Sequence, residues 1–278
     1  MTNTDKIDTL HLFPLLEEKL MELLNTFSEK EWDARTVAKL WTVKDIAAHL
    51  LDGNLRGLSV SRDKFYGISS FDTSPGKGLI EKLNELNMVW TKAATRLSPQ
   101  ILIQLLERTG REYYEHLLTL NPWEPAVFPV AWAGHESSPN WFHIAREFTE
   151  KFLHQQQIRD AVGKQGIMTK ELFYPFMDIL MFALPNTFKN VTAETGTMVS
   201  IQISSKIGGR WNIVKGTDGW ILNKNIDINP HAMVIIDPDT AWKLFSKSWS
   251  PEMVLDKIEI SGNSQLGKQA LKMVAVMA

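Results

Sequence analysis

Residues 138–163, SPNWFHIAREFTEKFLHQQQIRDAVG, decide how this chain is read. They predict one long helix with both ends marked. Ser138 suits an N-cap, and Pro139 suits the first helical position, where a missing N–H costs nothing. Gly163 can take the left-handed conformation that closes a helix. Glu150 and His154 lie four residues apart, which puts them on one face with Cβ atoms about 6 Å apart. A carboxylate and an imidazole so placed can hold a divalent metal if a third ligand arrives from elsewhere. His143 and Glu147 repeat the spacing. His143 and His154 stand about 16 Å apart along the axis and cannot share an ion, but spacing does not choose between the two pairs. On periodicity alone the row His143, Glu147, Glu150 and His154 reads as a solvated face, since Phe148 and Phe152 point roughly the other way.

Working outward, the first two-thirds of the chain reads as helices. Leu12, Leu15, Leu16, Leu20, Leu23 and Leu24 fall near helical spacing. Thr42, followed three residues later by Asp45, resembles a capping box and opens a helix carrying Ile46, Ala47, Leu50, Leu51 and Leu55. His49 lies on the edge of that apolar stripe, where a lone histidine is either a hydrogen-bonded core residue or a ligand. Ser98-Pro99 is a fresh cap-plus-proline start within residues 79–118. A long aromatic-rich loop over residues 121–138, with Trp123, Phe128 and Trp132, precedes the organising helix, and such loops are more often functional than idle. The four main helices are expected over residues 10–27, 42–66, 79–118 and 139–162. After Gly166 the character changes. One more apolar helix over 171–188 is followed by period-two stretches at 198–203, 210–214 and 233–236. A short helix from Asp237 to Phe245, a strand over 254–261 and a final helix from Ser264 complete the pattern. This suggests an α+β layer on an antiparallel sheet.

The chain has 278 residues and a formal charge of −2, which gives no basic patch for nucleic acid. Cysteine is absent. That excludes disulfides, thiolate ligands and a cysteine nucleophile, and with a polar start and no long apolar run it fits a cytoplasmic protein that does not enter a membrane.

The segment Trp41-Thr42-Val43-Lys44-Asp45-Ile46-Ala47-Ala48-His49-Leu50 resembles the W-[ST]-V-x-D-[LIV]-x-x-H-[LI] signature of the DinB-like four-helix-bundle superfamily. Glu150 to His154, followed by Arg159 to Gly163, resembles the corresponding helix of one branch, the mycothiol-dependent maleylpyruvate isomerase family. Residues 128–134 are similar to that branch's loop before the helix. Ser250-Pro251-Glu252 and Ile260-Ser261-Gly262-Asn263 are similar to parts of its sterol-carrier-protein-like C-terminal domain.

The resemblance implies a DinB-like metal-binding four-helix bundle over residues 1–166 and a small sterol-carrier-protein-like α+β domain over 167–278. It places the metal ligands on His49, Glu150 and His154, a set that suits Zn²⁺ with an open position, and also Ni²⁺, Co²⁺ or Fe²⁺. It further implies a basic catalytic residue from the second domain, for which Arg210 is the candidate, and a cleft lined by Trp132 and His135 that binds a low-molecular-weight thiol. Asp160 is a candidate for orienting a ligand. The expected function is a metal-dependent enzyme that uses a mycothiol- or bacillithiol-type thiol to isomerise, or transfer a group to, a small electrophile. Two other classes fit the same residues. One is a metal-dependent hydrolase, and the other is a non-catalytic small-ligand-binding protein with a structural metal.

Overall fold

The computed structural model describes residues 6–67, 78–134, 136–224 and 229–275. The described chain forms two compact units. One takes the residues up to Phe128 together with Pro139–Ile167, and the other takes Pro129–Ser138 and the residues from Met168 onward.

The first unit is helical. Helix α1 (Phe13–Leu24) follows a 3-10 turn at Leu10–Leu12. Helix α2 (Glu29–Trp32) is a single turn opened by a reciprocal Ser28–Glu31 capping box. At four residues it is too short for hydrophobic periodicity to reveal. Helix α3 (Val43–Gly57) opens on a second box, in which Thr42 N–H donates to Asp45 and Asp45 N–H donates to the Thr42 hydroxyl. Aspartate here fills the place that glutamate usually takes. A π-helical turn at Leu58–Arg62 ends α3, and Lys64 then adopts φ 57°, so the helical path stops short of residue 66.

The expected 79–118 helix is two helices, α4 (Leu79–Ala94) and α5 (Pro99–Leu118), divided where the Ser98 hydroxyl accepts from Ile101 N–H. Helix α6 (Asn140–Val162) closes on Gly163 at φ 67°, with Lys164 N–H donating to Arg159 O. Its start differs from expectation. Pro139 is the N-cap, because the Ser138 hydroxyl accepts instead from Val130 N–H.

Helices α1, α3, α5 and α6 close a ring: α3 touches α5 and α6, α1 touches the same two, and α4 lies against α3. Leu20, Leu23 and Leu24 of α1, Val43, Ile46, Ala47, Leu50 and Leu51 of α3, Leu102 and Leu106 of α5 and Ile158 of α6 form one core. Each such leucine or isoleucine contributes about 1.5–3 kcal/mol through burial.

The second unit opens with α7 (Lys170–Leu180), a 3-10 turn at Met181–Ala183 and α8 (Leu184–Phe188). The single helix expected over 171–188 is therefore interrupted ahead of Pro185, whose ring sits in the first turn of α8, where a missing N–H is tolerated. Five strands follow: β1 (Met198–Ile203), β2 (Arg210–Lys215), β3 (Trp220–Asn223), β4 (Ala232–Ile236) and, after α9 (Pro238–Phe245), β5 (Glu259–Gly262). Helix α10 (Ser264–Ala270) packs on β1, β4 and β5.

The sheet order is β3-β2-β1-β4-β5. It is not purely antiparallel: β1 and β4 run parallel at its centre, and both are heavily buried. That matches the usual place of parallel pairs in a covered sheet. The expected strand over 254–261 is shorter, since two 3-10 turns occupy Pro251–Met253 and Leu255–Lys257. Trp211, fully buried in β2, donates its indole N–H to Asp178 of α7 at 2.6 Å, which joins helix and sheet.

One close approach fixes the end of α3. A Cβ on Gly57 would stand 2.5 Å from the ring of Tyr113, which is 1% exposed. Alanine gains about 1 kcal/mol of helix propensity over glycine, but overpacking a fixed core ring costs about 1–3 kcal/mol. Gly57→Ala should therefore lower the urea midpoint with the slope unchanged. An unchanged or higher midpoint would show that Tyr113 moves freely.

Candidate metal centre

The amphipathic reading of α6 does not survive. From Asn140 to Arg159 every residue is buried except Arg146, Glu147, Glu150 and Lys151, which are partly buried. The row His143, Glu147, Glu150, His154 is thus not a solvated face: His143 is 1% exposed and His154 8%. Polar groups taken out of water need partners, and the two candidate ligand pairs meet that need differently.

His143 and Glu147 are held by Arg146. Its guanidinium Nη2 donates to His143 Nδ1 at 3.0 Å and to Glu147 Oε1 at 2.5 Å. A guanidinium only donates, so His143 Nδ1 accepts and the ring proton sits on Nε2. Burial holds the His143 imidazole down to about 4. The 3.9 Å approach of His143 Nδ1 to Glu147 Oε1 is therefore not an ion pair at neutral pH. Burial alone would raise the Glu147 carboxyl, but Arg146, Lys151 and the Tyr113 hydroxyl outweigh it and hold it low. Burial together with the Glu147 charge pushes the Tyr113 hydroxyl well up. Arg146 thus partners both members of this pair, although His143 Nε2 and Arg146 Nε have no hydrogen-bond partner among the described residues.

Glu150 and His154 instead meet His49. The capping box at Thr42 starts α3 so that His49 falls two turns in, facing α6. One ligand atom from each of His49, Glu150 and His154 lies within 4.8 Å of the others. His154 Nε2 stands 3.4 Å from Glu150 Oε2, and two ligands of a tetrahedral ion at about 2.1 Å stand about 3.4 Å apart. The His49 and His154 rings meet edge-on, with centroids 4.7 Å apart.

His49 Nδ1 is buried and has no hydrogen-bond partner among the described residues. Burial first, then His154 and Arg56, hold the His49 imidazole well below its usual range, so it is neutral and offers a lone pair. His154 Nδ1 meets Gln157 Oε1 at 2.9 Å, which leaves Nε2 for the site. Two imidazoles and one carboxylate, with an orphaned ring nitrogen on one of the imidazoles, fit a divalent cation of the zinc type.

Trp41 completes the surroundings. Its ring lies 4.8 Å from that of His49 and 6.0 Å from that of His154. Trp41 opens the signature segment but is not among the expected site residues, and neither are Arg146 and Gln157. Gln157 was detectable in principle, standing three residues beyond His154 on the same helical face.

Two other expected site residues, Arg210 and Trp132, belong to the second unit. Arg210 opens β2 in the second unit, where its guanidinium donates to Ser200 Oγ at 3.2 Å. Trp132 is buried in a 3-10 turn at Ala131–Ala133, also in the second unit, and its carbonyl accepts from Asn186 at 3.4 Å. His135 lies outside the described residues.

A family model described as mycothiol maleylpyruvate isomerase N-terminal domain matches residues 13–159, which contain all three clustered residues. Among solved structures, crystal structures of a mycothiol-dependent maleylpyruvate isomerase and of a histidine-to-alanine mutant are each 12% identical in sequence. Each has a TM-score of 0.53 and covers 91% of both chains. At that identity the likeness shows the fold. No curated protein matches.

The His143 arrangement has a pH signature. His143 is neutral in the folded protein down to about 4, whereas an exposed histidine takes up a proton near 6.5. The unfolded chain therefore binds more protons between these values, and stability falls as pH drops through that window. Stability measured by urea unfolding should decline by a few kcal/mol from pH 6.5 to 4, and His143→Gln should flatten the slope. A His143 ring that titrates near 6.5 by NMR would contradict the burial argument.

Proposed function

The chain belongs to the mycothiol maleylpyruvate isomerase N-terminal domain family, and from that membership we propose that it is a metal-dependent enzyme using a low-molecular-weight thiol to isomerise a small electrophile. The observation that carries this reading is the meeting of His49 from α3 with Glu150 and His154 from α6. In a chain without cysteine, the sulfur nucleophile must be a small molecule. A divalent cation held by these residues would supply a Lewis-acid position able to lower the pKa of a thiol.

The protein's own residues do the rest. His49, held neutral by burial, and His154, with Nδ1 committed to Gln157, present lone pairs. Glu150 supplies the single negative charge among the three. Trp41 sets an aromatic ring beside both imidazoles.

The reaction that fits is reversible addition to a double bond conjugated with a carbonyl. Sulfur bonds to the β-carbon, and the π electrons move to the carbonyl oxygen. The former double bond rotates, and the electrons return as the carbon–sulfur bond breaks. The thiol is recovered, and nothing is oxidised or reduced. Mycothiol and bacillithiol are both candidate thiols. Arg210 is proposed to act on the electrophile, and Trp132 and His135 to contact the thiol, as the resemblance implies.

Protein purified without chelator should carry about one divalent ion per chain by mass spectrometry. His49→Ala and His154→Ala should each lose it while keeping the helical circular dichroism. An activated double bond should be isomerised only when thiol is added, and Arg210→Gln should lower turnover without changing metal content. Consumption of substrate without thiol would favour the hydrolase. Absence of metal after dialysis against Zn²⁺, Ni²⁺ and Co²⁺ would remove the basis of the proposal.

A further inference from the structure

The residue that sets the chemistry of His154 is itself buried. Gln157 is 4% exposed and His154 8%, and Gln157 Oε1 lies 2.9 Å from His154 Nδ1. The opposite ring nitrogen, Nε2, stands 3.4 Å from Glu150 Oε2. We propose that Gln157 is a positioning residue: its amide oxygen accepts the Nδ1 proton of His154 and so fixes the imidazole with its Nε2 lone pair toward Glu150 and His49.

Three features of the chain support this. The two residues are three apart in the middle of α6, where backbone geometry brings their side chains together. A buried imidazole with two free nitrogens could take either tautomer, and only one of these offers Nε2 as a lone pair; the partner of the other nitrogen decides which. An imidazole that binds a metal through one nitrogen ordinarily donates its other N–H to an acceptor, and removing that acceptor costs about 10–100-fold in affinity.

The acceptor's identity also matters. A carboxamide is neutral, so it orients the ring without adding charge. Glu150 is then the one anion among the three clustered residues. A divalent cation there would retain one positive charge, which a single thiolate balances. This last consequence rests on the proposed function, whereas the orientation of His154 does not.

The test reads the tautomer directly. In metal-free protein, two-dimensional ¹⁵N–¹H NMR across the imidazole should show His154 protonated at Nδ1 and bare at Nε2. Gln157→Leu should give a mixture or the opposite tautomer, while Gln157→Glu, which keeps an acceptor, should restore the Nδ1–H form. Co²⁺ titration against a competing chelator should show affinity about 10–100-fold weaker in Gln157→Leu and recovered in Gln157→Glu.

A proton found on Nε2 in the unmodified protein would overturn the proposal, and that measurement needs no variant to fold. An unchanged tautomer together with unchanged affinity in Gln157→Leu would also overturn it. A tautomer that moves as expected in protein that binds no Co²⁺ would uphold the role of Gln157 while removing the metal reading.

Discussion

A helix rich in polar side chains runs through the middle of the first unit, and its desolvation is the constraint on which the rest depends. Helix α6 carries two histidines, two glutamates, two arginines and three consecutive glutamines, yet it is buried almost throughout from Asn140 to Arg159. Each group withdrawn from water without a partner costs on the order of 1–3 kcal/mol, and charged groups cost more. The chain meets part of this cost locally, although His143 Nε2, Arg146 Nε and the Gln155 amide have no hydrogen-bond partner among the described residues. Arg146 spans His143 and Glu147. Arg159 donates to the carbonyls of Gln165 and Lys19, which ties the end of α6 to α1. Lys151 donates to Asn54, which in turn donates to Thr109, so that α6, α3 and α5 are joined by a buried polar chain.

Within this scheme His49, Glu150 and His154 are the one group of three ligand-bearing side chains that converge among the described residues. One ring nitrogen of His49 is buried with no hydrogen-bond partner among the described residues. Such an atom is costly to keep in a core unless something else meets it. A cation held among the three residues would offset the crowding of two imidazoles against a carboxylate. The position of His49 follows from the two capping contacts between Thr42 and Asp45, which set where α3 begins and hence which way the His49 side chain turns. The structural economy of α6 and the chemistry of the cluster are therefore one problem rather than two.

Much of this was legible from residue types and spacing, and some was not. Gly163 closes α6 as its left-handed preference dictates, and the Thr42 box opens α3 with aspartate in the usual place of glutamate. Spacing could not separate His143–Glu147 from Glu150–His154, because both are i,i+4 pairs on one face. The difference lies in Arg146, whose reach to the first pair depends on a rotamer that periodicity does not encode. The polar row misled for a related reason: periodicity reports which residues share a face, not whether that face meets water. Ser138 failed as a cap because a distant backbone N–H, that of Val130, took its hydroxyl. In the second unit the parallel pairing of β1 with β4 is a tertiary choice invisible to alternation, which looks the same in either direction.

The central claim is that His49, Glu150 and His154 hold one divalent cation in common. Diffraction from crystals of protein purified without chelator, recorded above and below the absorption edge of the bound metal, tests it most directly. The account predicts one anomalous peak in the first unit, about 2.0–2.2 Å from a nitrogen of each histidine and from the Glu150 carboxylate. An anomalous peak bound by other residues, or a cluster closed only by water and direct hydrogen bonds, would contradict it.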